Sequence, residues 1–322
     1  MRIVFMGTPA FAVPTLQRLH AAGLAPVMVY SQPARPTGRG LRAMPPPVAQ
    51  EAERLGLPLR QPDVLQRRAE LERLADLAPD LILTVAYGKI FRRKLLALPR
   101  IGCLNLHPSL LPRYRGLSPI QMAILRGDRL TGVTLYRMEA EVDAGGIVAQ
   151  QAVAIAAGET AGQLGQRLAA LGAELTTHVI ARYGRAPWTP LAQEAALASH
   201  APRLTREQGR IDWRLPAPQI ERLVRALHPW PGTFTYCRRT RVKIHEVRVV
   251  DEIPRRVPPG TILSAGREAP TVAALPGALA LRTVQPENCR AQEGIAFCCG
   301  QHVEPGLRLH PHPAPTDGRD DD

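Results

Sequence analysis

The chain has 322 residues, 45% hydrophobic and 21% charged, which suits two domains with a substantial core and excludes a disordered chain. No apolar run approaches the roughly 20 residues that span a bilayer, and the opening Met1–Gly7 reaches a glycine turn too early for a secretory leader, so neither membrane insertion nor secretion is expected. The formal net charge of +13 favours a polyanionic partner, and five cysteines (Cys103, Cys237, Cys289, Cys298, Cys299) with no C-x-x-C spacing point away from a disulfide framework or a cysteine zinc site and towards a reducing cytoplasm.

The first half alternates strand and helix patterns. Arg2–Met6 is an apolar run that ends in Gly7-Thr8-Pro9. A helical pattern through Phe11, Leu16 and Leu19 follows and stops at Gly23. Pro26–Tyr30 reads as a strand, Val48–Leu55 as a helix closed by Gly56, and Leu81–Val85 as a strand buried on both faces. Arg92–Leu98 is a short helix candidate, and Gly102–Leu106 is a further buried strand ending at His107. This alternation predicts a Rossmann-like α/β domain with a mostly parallel sheet. Ligands of such sheets bind beyond the carboxyl ends of the strands, so the residues after Met6, Tyr30, Val85 and Leu106 lie at the expected active edge. Thr131–Met138 and Ile147–Ile155 read as two strands joined through Asp143-Ala144-Gly145-Gly146. A long helix is predicted from about Thr160 to Tyr183, with Leu164, Leu168, Leu171 and Leu175 on one stripe.

These patterns divide the chain into a first domain over 1–183, a proline-bearing linker over 184–206, a second domain over 207–309 and a tail over 310–322. Ala217–Ala226 is helical. Five short β-rich runs follow: Thr233–Cys237, Arg241–Val250, Gly260–Leu263, Thr271–Leu275 and Ala278–Val284. They suggest a small OB-like β-barrel. Residues 203–258 hold 13 basic and 6 acidic side chains, whereas 259–322 hold 5 and 8. The positive charge therefore gathers at the domain junction and on the first barrel strands.

The densest polar cluster is Asn105-Leu106-His107-Pro108-Ser109 at the end of a buried strand. Period-2 alternation puts Asn105 and His107 on one side. Asp143 is the second element; its plainer reading is a turn aspartate. An amide donor, an imidazole and a carboxylate together suit transfer of an acyl group to an amine. Asn105 and His107 would face the developing oxyanion, and Asp143 would hold and charge the ring. No serine or cysteine nucleophile is needed when an amine attacks directly. Ser109 lacks a G-x-S-x-G elbow, and Gly7-Thr8-Pro9 lacks the G-x-G-x-x-G spacing of a dinucleotide site.

The run Asn105-Leu106-His107-Pro108-Ser109-Leu110-Leu111-Pro112-Arg113-Tyr114-Arg115-Gly116, followed by Thr131-Gly132-Val133-Thr134 and Asp143-Ala144-Gly145, resembles the folate-dependent formyltransferase family. Four further segments are similar to the branch of that family acting on methionyl-tRNA: Met6–Ala12, Gln32–Gly40, Arg210-Ile211-Asp212-Trp213 and His228-Pro229-Trp230-Pro231-Gly232. The resemblance covers about residues 1–309. It implies that Asn105, His107 and Asp143 are catalytic. It implies further that Ala86, Tyr87 and Gly88, with Ser109, Leu110, Leu111 and Pro112, surround 10-formyltetrahydrofolate. The implied acceptor is initiator methionyl-tRNA, the implied state a cytoplasmic monomer, and no metal is required. A nucleotide-linked amino sugar is the alternative acceptor.

The cationic loop with Arg35, Arg39 and Arg42 would wedge against the tRNA acceptor end. Arg203, Arg206, Arg239, Arg241 and Lys243 would contact phosphates more broadly; their plainer reading is a solvated face. Departures from the family pattern are Ala34 where Asp is usual, Tyr114 where Trp is usual, Leu117-Ser118 in place of two small residues, and Gly146 where Asp or Pro is more frequent.

Overall fold

Ile3–Gly7 and Leu81–Val85 are buried at every position, as strands covered on both faces must be. They pair in parallel at the centre of a seven-stranded sheet. The computed structural model describes residues 1–37, 42–183, 187–250, 257–265 and 269–313. The chain forms two units. The first comprises Met1–Ile120, Arg129–Ile155 and Gln163–Pro202; the second comprises Gln121–Asp128, Ala156–Gly162 and Arg203–Asp322.

In the first unit the sheet order is Ile147–Ala154, Leu130–Arg137, Gly102–His107, Leu81–Val85, Ile3–Gly7, Met28–Tyr30 and Leu59–Arg60. The last five run parallel. Leu130–Arg137 runs antiparallel to Gly102–His107 and to Ile147–Ala154. The short connection through Asp143 allows an antiparallel return, whereas a parallel crossover needs a dozen or more residues. The α/β expectation therefore holds, with Leu130–Arg137 opposite in sense to both of its neighbours.

Val13–Ala21 and Pro47–Arg54 begin with proline at the first or second helical position, where the missing N–H costs nothing. Arg68–Asp76 and Pro119–Arg126 are helices, and Leu59–Arg60 a strand, that the periodicity does not announce. The stretch read as a linker divides. Leu191 exchanges backbone hydrogen bonds with Ile147, and His200–Ala201 pairs in parallel with Arg115–Gly116, so the chain up to Pro202 belongs to the first unit.

The second unit carries the helix Ala217–Leu227 and an antiparallel sheet ordered Ile262–Ser264, Thr271–Ala273, Ala278–Pro286, Thr240–Val250, Thr233–Cys237 and Leu309–His310. The two ends of that order meet. Thr261 bridges Arg308, and the Leu309 amide donates to the Gly260 carbonyl at 2.8 Å, so the sheet closes as the barrel expectation requires. Gly260 sits at φ +89°, and a Cβ there would lie 2.3 Å from the Leu309 carbonyl oxygen, so only glycine permits this closure. Ile211, Trp213 and Ile220 pack with Val242, Ile244, Leu281 and Phe297 in the core of this unit. His310, read as the start of the tail, pairs with Tyr236, and the tail beyond 313 lies outside the described residues. Among the described residues no helix is long and apolar enough to cross a membrane.

Candidate active site

Strand register sets the site. Thr84 pairs with Asn105, and Asn105 with Tyr136. One step towards the carboxyl end on the same face, His107 pairs with Thr134, and Thr134 with Gln150. Paired residues point to one side of a sheet. Two polar rows thus cross the sheet at its expected active edge, and Asn105 and His107 share a face as period-2 alternation predicts.

The loop after Leu130–Arg137 brings Asp143 back to this face. Asp143 takes φ 54°, outside the usual range for an L side chain. Gly145 follows, where a Cβ would fall 1.8 Å from the Arg137 carbonyl oxygen, so the loop can fold this closely only with glycine. Gln193 pins it from outside: its amide nitrogen donates to the carbonyls of Asp143 (2.9 Å) and Gly145 (2.7 Å), while its oxygen accepts from Arg115.

The structure brings the three residues singled out in the sequence together. The Asp143 carboxylate accepts from the Gly116 amide at Oδ2 (2.7 Å) and from the Tyr136 hydroxyl at Oδ1 (2.6 Å). The same Tyr136 hydroxyl accepts from Asn105 Nδ2 at 3.2 Å. His107 Nδ1 faces Asp143 Oδ2 at 3.7 Å, an ion pair whenever the ring is protonated. His107 Nε2 lies 2.9 Å from the Tyr114 carbonyl oxygen, which as an acceptor takes the ring N–H. Both ring nitrogens therefore face acceptors. His107 and Asp143 are buried, with 4% and 8% of their surface exposed. Burial first, and the adjacent Asp143 carboxylate second, push the Tyr136 phenol well above its ordinary value, so it remains a donor to Asp143.

The segment over 109–112 is pinned from below. The Thr134 hydroxyl donates to the Ser109 carbonyl (2.6 Å) and accepts from the Leu111 amide (3.1 Å), and Gln150 Nε2 donates to the Leu111 carbonyl (2.7 Å). Leu110 lies against Gly132, where a Cβ would come within 2.6 Å of its methyl. Ser109 spends its hydroxyl on the Arg113 carbonyl, and Pro112 follows a cis peptide bond.

In the turn Ala86-Tyr87-Gly88, Ala86 and Gly88 take φ 48° and 79° and both are exposed. The Tyr87 side chain instead lies in the core with Val4, Met6 and Phe91, and its carbonyl accepts from Gln32 Nε2 at 2.7 Å. Only the flanks of this turn face outwards.

The cationic positions are dispersed. Arg35 is exposed, contacts Gln32 and lies in a two-stranded hairpin, Arg35–Thr37 with Arg42–Met44. Arg39 lies outside the described residues, as does the side chain of Arg42. In the second unit Arg203, Arg206, Arg239 and Lys243 are exposed. The Arg241 guanidinium stacks over the Phe234 ring at 3.8 Å. Sequence reasoning does not single out Tyr136, Gln150 or Gln193, and Thr134 enters it only within the family motif, with no role of its own. For Thr134 and Tyr136 the available signal is two polar side chains at period 2 in a buried strand; Gln193 carries none.

The family model for formyl transferase matches residues 1–180, and that for the formyl transferase C-terminal domain matches residues 203–302. The chain is 44% identical over 310 residues to a methionyl-tRNA formyltransferase of Roseiflexus sp. (strain RS-1), covering 96% of this chain and 95% of the relative. It is 43% identical to that of Moorella thermoacetica, covering 95% and 98%. Among solved structures, an N-formyltransferase from Helicobacter canadensis in complex with folinic acid and dTDP-3-aminofucose superposes with a TM-score of 0.66 at 17% identity, covering 87% of this chain and 99% of that one. At that identity the likeness is one of fold. Matched by both family models and aligned with these relatives along nearly its whole length, the chain belongs to the formyl transferase family.

Proposed function

We propose that this protein transfers the formyl group of 10-formyltetrahydrofolate to the α-amine of initiator methionyl-tRNA. The observation that carries the reaction is the meeting of Asn105, His107 and Asp143 at one strand end, where the Tyr136 hydroxyl joins Asn105 to Asp143 and His107 Nδ1 faces the same carboxylate. Similarity over nearly the full length to methionyl-tRNA formyltransferases supports the acceptor.

The folate supplies an activated one-carbon unit at the formyl oxidation level. A C–N bond forms between the attacking amine and the formyl carbon, the bond from that carbon to the folate nitrogen breaks, and the amine proton ends on tetrahydrofolate. This chain's part is to take up the charge that builds on the formyl oxygen and to steer the proton. Asn105 retains an amide N–H beyond the one given to Tyr136, a neutral donor for that oxygen. His107, set between the Tyr114 carbonyl and Asp143, supplies the second polar group, and Asp143 holds its ring in place. An N–H of His107 reaches the formyl oxygen only by leaving one of those two acceptors.

The donor set fits a flat heterocycle. The turn over 86–88 and the pinned segment 109–112 follow adjacent, paired strands, and neither presents a charged side chain. Such edges read a ring by hydrogen bonds and apolar contact. Arg35, Arg39 and Arg42 of the first unit and Arg203, Arg206, Arg239, Arg241 and Lys243 of the second are assigned to the tRNA phosphates. The deciding experiment gives purified protein and 10-formyltetrahydrofolate either methionyl-tRNA or a nucleotide-linked amino sugar. Formylmethionyl-tRNA is expected, and formylation of the sugar alone would overturn the assignment.

A further inference from the structure

We infer that Tyr136 is a positioning residue for the transfer: its hydroxyl fixes which edge of the Asn105 amide faces the reacting formyl group. This inference rests on the assignment of Asn105 as the oxyanion donor made above.

A phenol has a single hydrogen to give. Tyr136 lies on the strand next to Asn105, in register with it, and only 2% of its surface is exposed. Its hydroxyl is 2.6 Å from Asp143 Oδ1, and a carboxylate oxygen accepts, so the hydrogen points to Asp143. The Gly116 amide, donating to Oδ2, holds that carboxylate in place. With its hydrogen committed, the Tyr136 oxygen can only accept, and it accepts from Asn105 Nδ2 at 3.2 Å. The opposite amide orientation would set Asn105 Oδ1 against an oxygen with no hydrogen left to give. Two acceptors face to face are unfavourable here, because the buried Tyr136 oxygen finds no water to compensate.

The direction of the whole chain of hydrogen bonds, from Asn105 through Tyr136 to Asp143, is therefore set by the carboxylate. It matters for the reaction because an oxyanion is stabilised by an N–H and opposed by a carbonyl. Asn105 carries both on one planar group, and nothing in its own shape distinguishes them. Tyr136 makes that distinction and touches no reacting atom in doing so. It also couples Asp143 to Asn105 without direct contact.

The test is Tyr136→Phe, which keeps the ring and removes the hydroxyl. Single-turnover transfer should slow by about 10-fold, with KM for folate and acceptor changed less than about 2-fold. In an Asn105→Ala background the same substitution should cost clearly less, the remainder being the donor that Asp143 loses, since no amide remains to orient. In 15N-labelled protein without substrates, the Asn105 side-chain NH2 resonances should move in Tyr136→Phe while the spectrum stays dispersed. A wild-type rate in Tyr136→Phe, an equal loss in the Asn105→Ala background, or unmoved Asn105 resonances would each overturn the inference. Failure of the functional assignment shows separately, as wild-type protein that does not formylate methionyl-tRNA. The kinetic ratio is then read with whichever amine is formylated, and the resonance shift needs no acceptor.

Discussion

Asp143→Asn separates the charge of this side chain from its shape. The residue sits at φ 54°, a conformation that asparagine enters as readily as aspartate, so the backbone has no reason to move. Hydrogen-bond direction does change. Both carboxylate oxygens now accept, one from Tyr136 and one from the Gly116 amide. An asparagine has a single accepting oxygen and an NH2 that only donates. One of the two buried donors loses its acceptor, and the other exchanges a charged partner for a neutral one. Charged hydrogen bonds are worth about 1.5–3 kcal/mol and neutral ones about 0.5–1.5 kcal/mol. Losing one and weakening the other amounts to about 3 kcal/mol, or about 6–12 °C in the thermal midpoint of a unit this size. The negative charge 3.7 Å from His107 Nδ1 disappears as well. Transfer should slow by about 100-fold or more, the usual scale for losing an electrostatic element of an oxyanion site. Calorimetry and single-turnover formylation of limiting methionyl-tRNA read the two effects independently. A lowered midpoint with a rate within about 3-fold of wild type would make Asp143 a structural pin and refute its role in the chemistry.

Three other expectations are testable. Formylation under subsaturating tRNA should fall steeply between low and moderate salt, because phosphate contacts release counterions; a flat profile would remove the basic positions from the tRNA interface. Arg39→Ala should impair use of methionyl-tRNA far more than folate binding, and equal losses in both would contradict the role assigned to its loop. Burial, and then the neighbouring His245, hold the half-buried His228 ring below its ordinary pKa. The fold thus favours the neutral form, and the resulting stability is present above about pH 6.5 and lost as the pH falls through the lowered folded value. His228→Gln should lose less of its thermal midpoint than wild type between pH 7 and pH 5, and an identical loss would contradict the linkage.

The parts of the fold legible in the sequence are those whose burial is uniform. Ile3–Gly7, Leu81–Val85 and Gly102–His107 read as strands because nearly every side chain is apolar, and the polar exceptions Thr84, Asn105 and His107 mark the active edge. Arg68–Asp76 escapes notice because its buried face includes a charge. Burial opposes ionisation of Glu70, but hydrogen bonds from Arg60 and Tyr30 outweigh it and leave its pKa below the usual carboxylate range. A hydrophobicity pattern reads that position as surface. The supports of the site are hidden for a different reason. Gln193 holds the Asp143 loop across 50 residues of chain, and Tyr136 meets Asn105 across 31. Contacts of that separation leave no local period. Tyr87 shows the converse: its motif is legible, but not that its side chain turns into the core.

Above all, the strand end bearing Asn105 is held to carry the chemistry. The direct measurement is the single-turnover rate of Asn105→Ala, with 10-formyltetrahydrofolate and methionyl-tRNA both saturating and the folate dissociation constant measured alongside. The rate should fall by about 100-fold or more, as for loss of an oxyanion donor, with little change in folate affinity. A rate close to wild type at unchanged affinity would contradict that role.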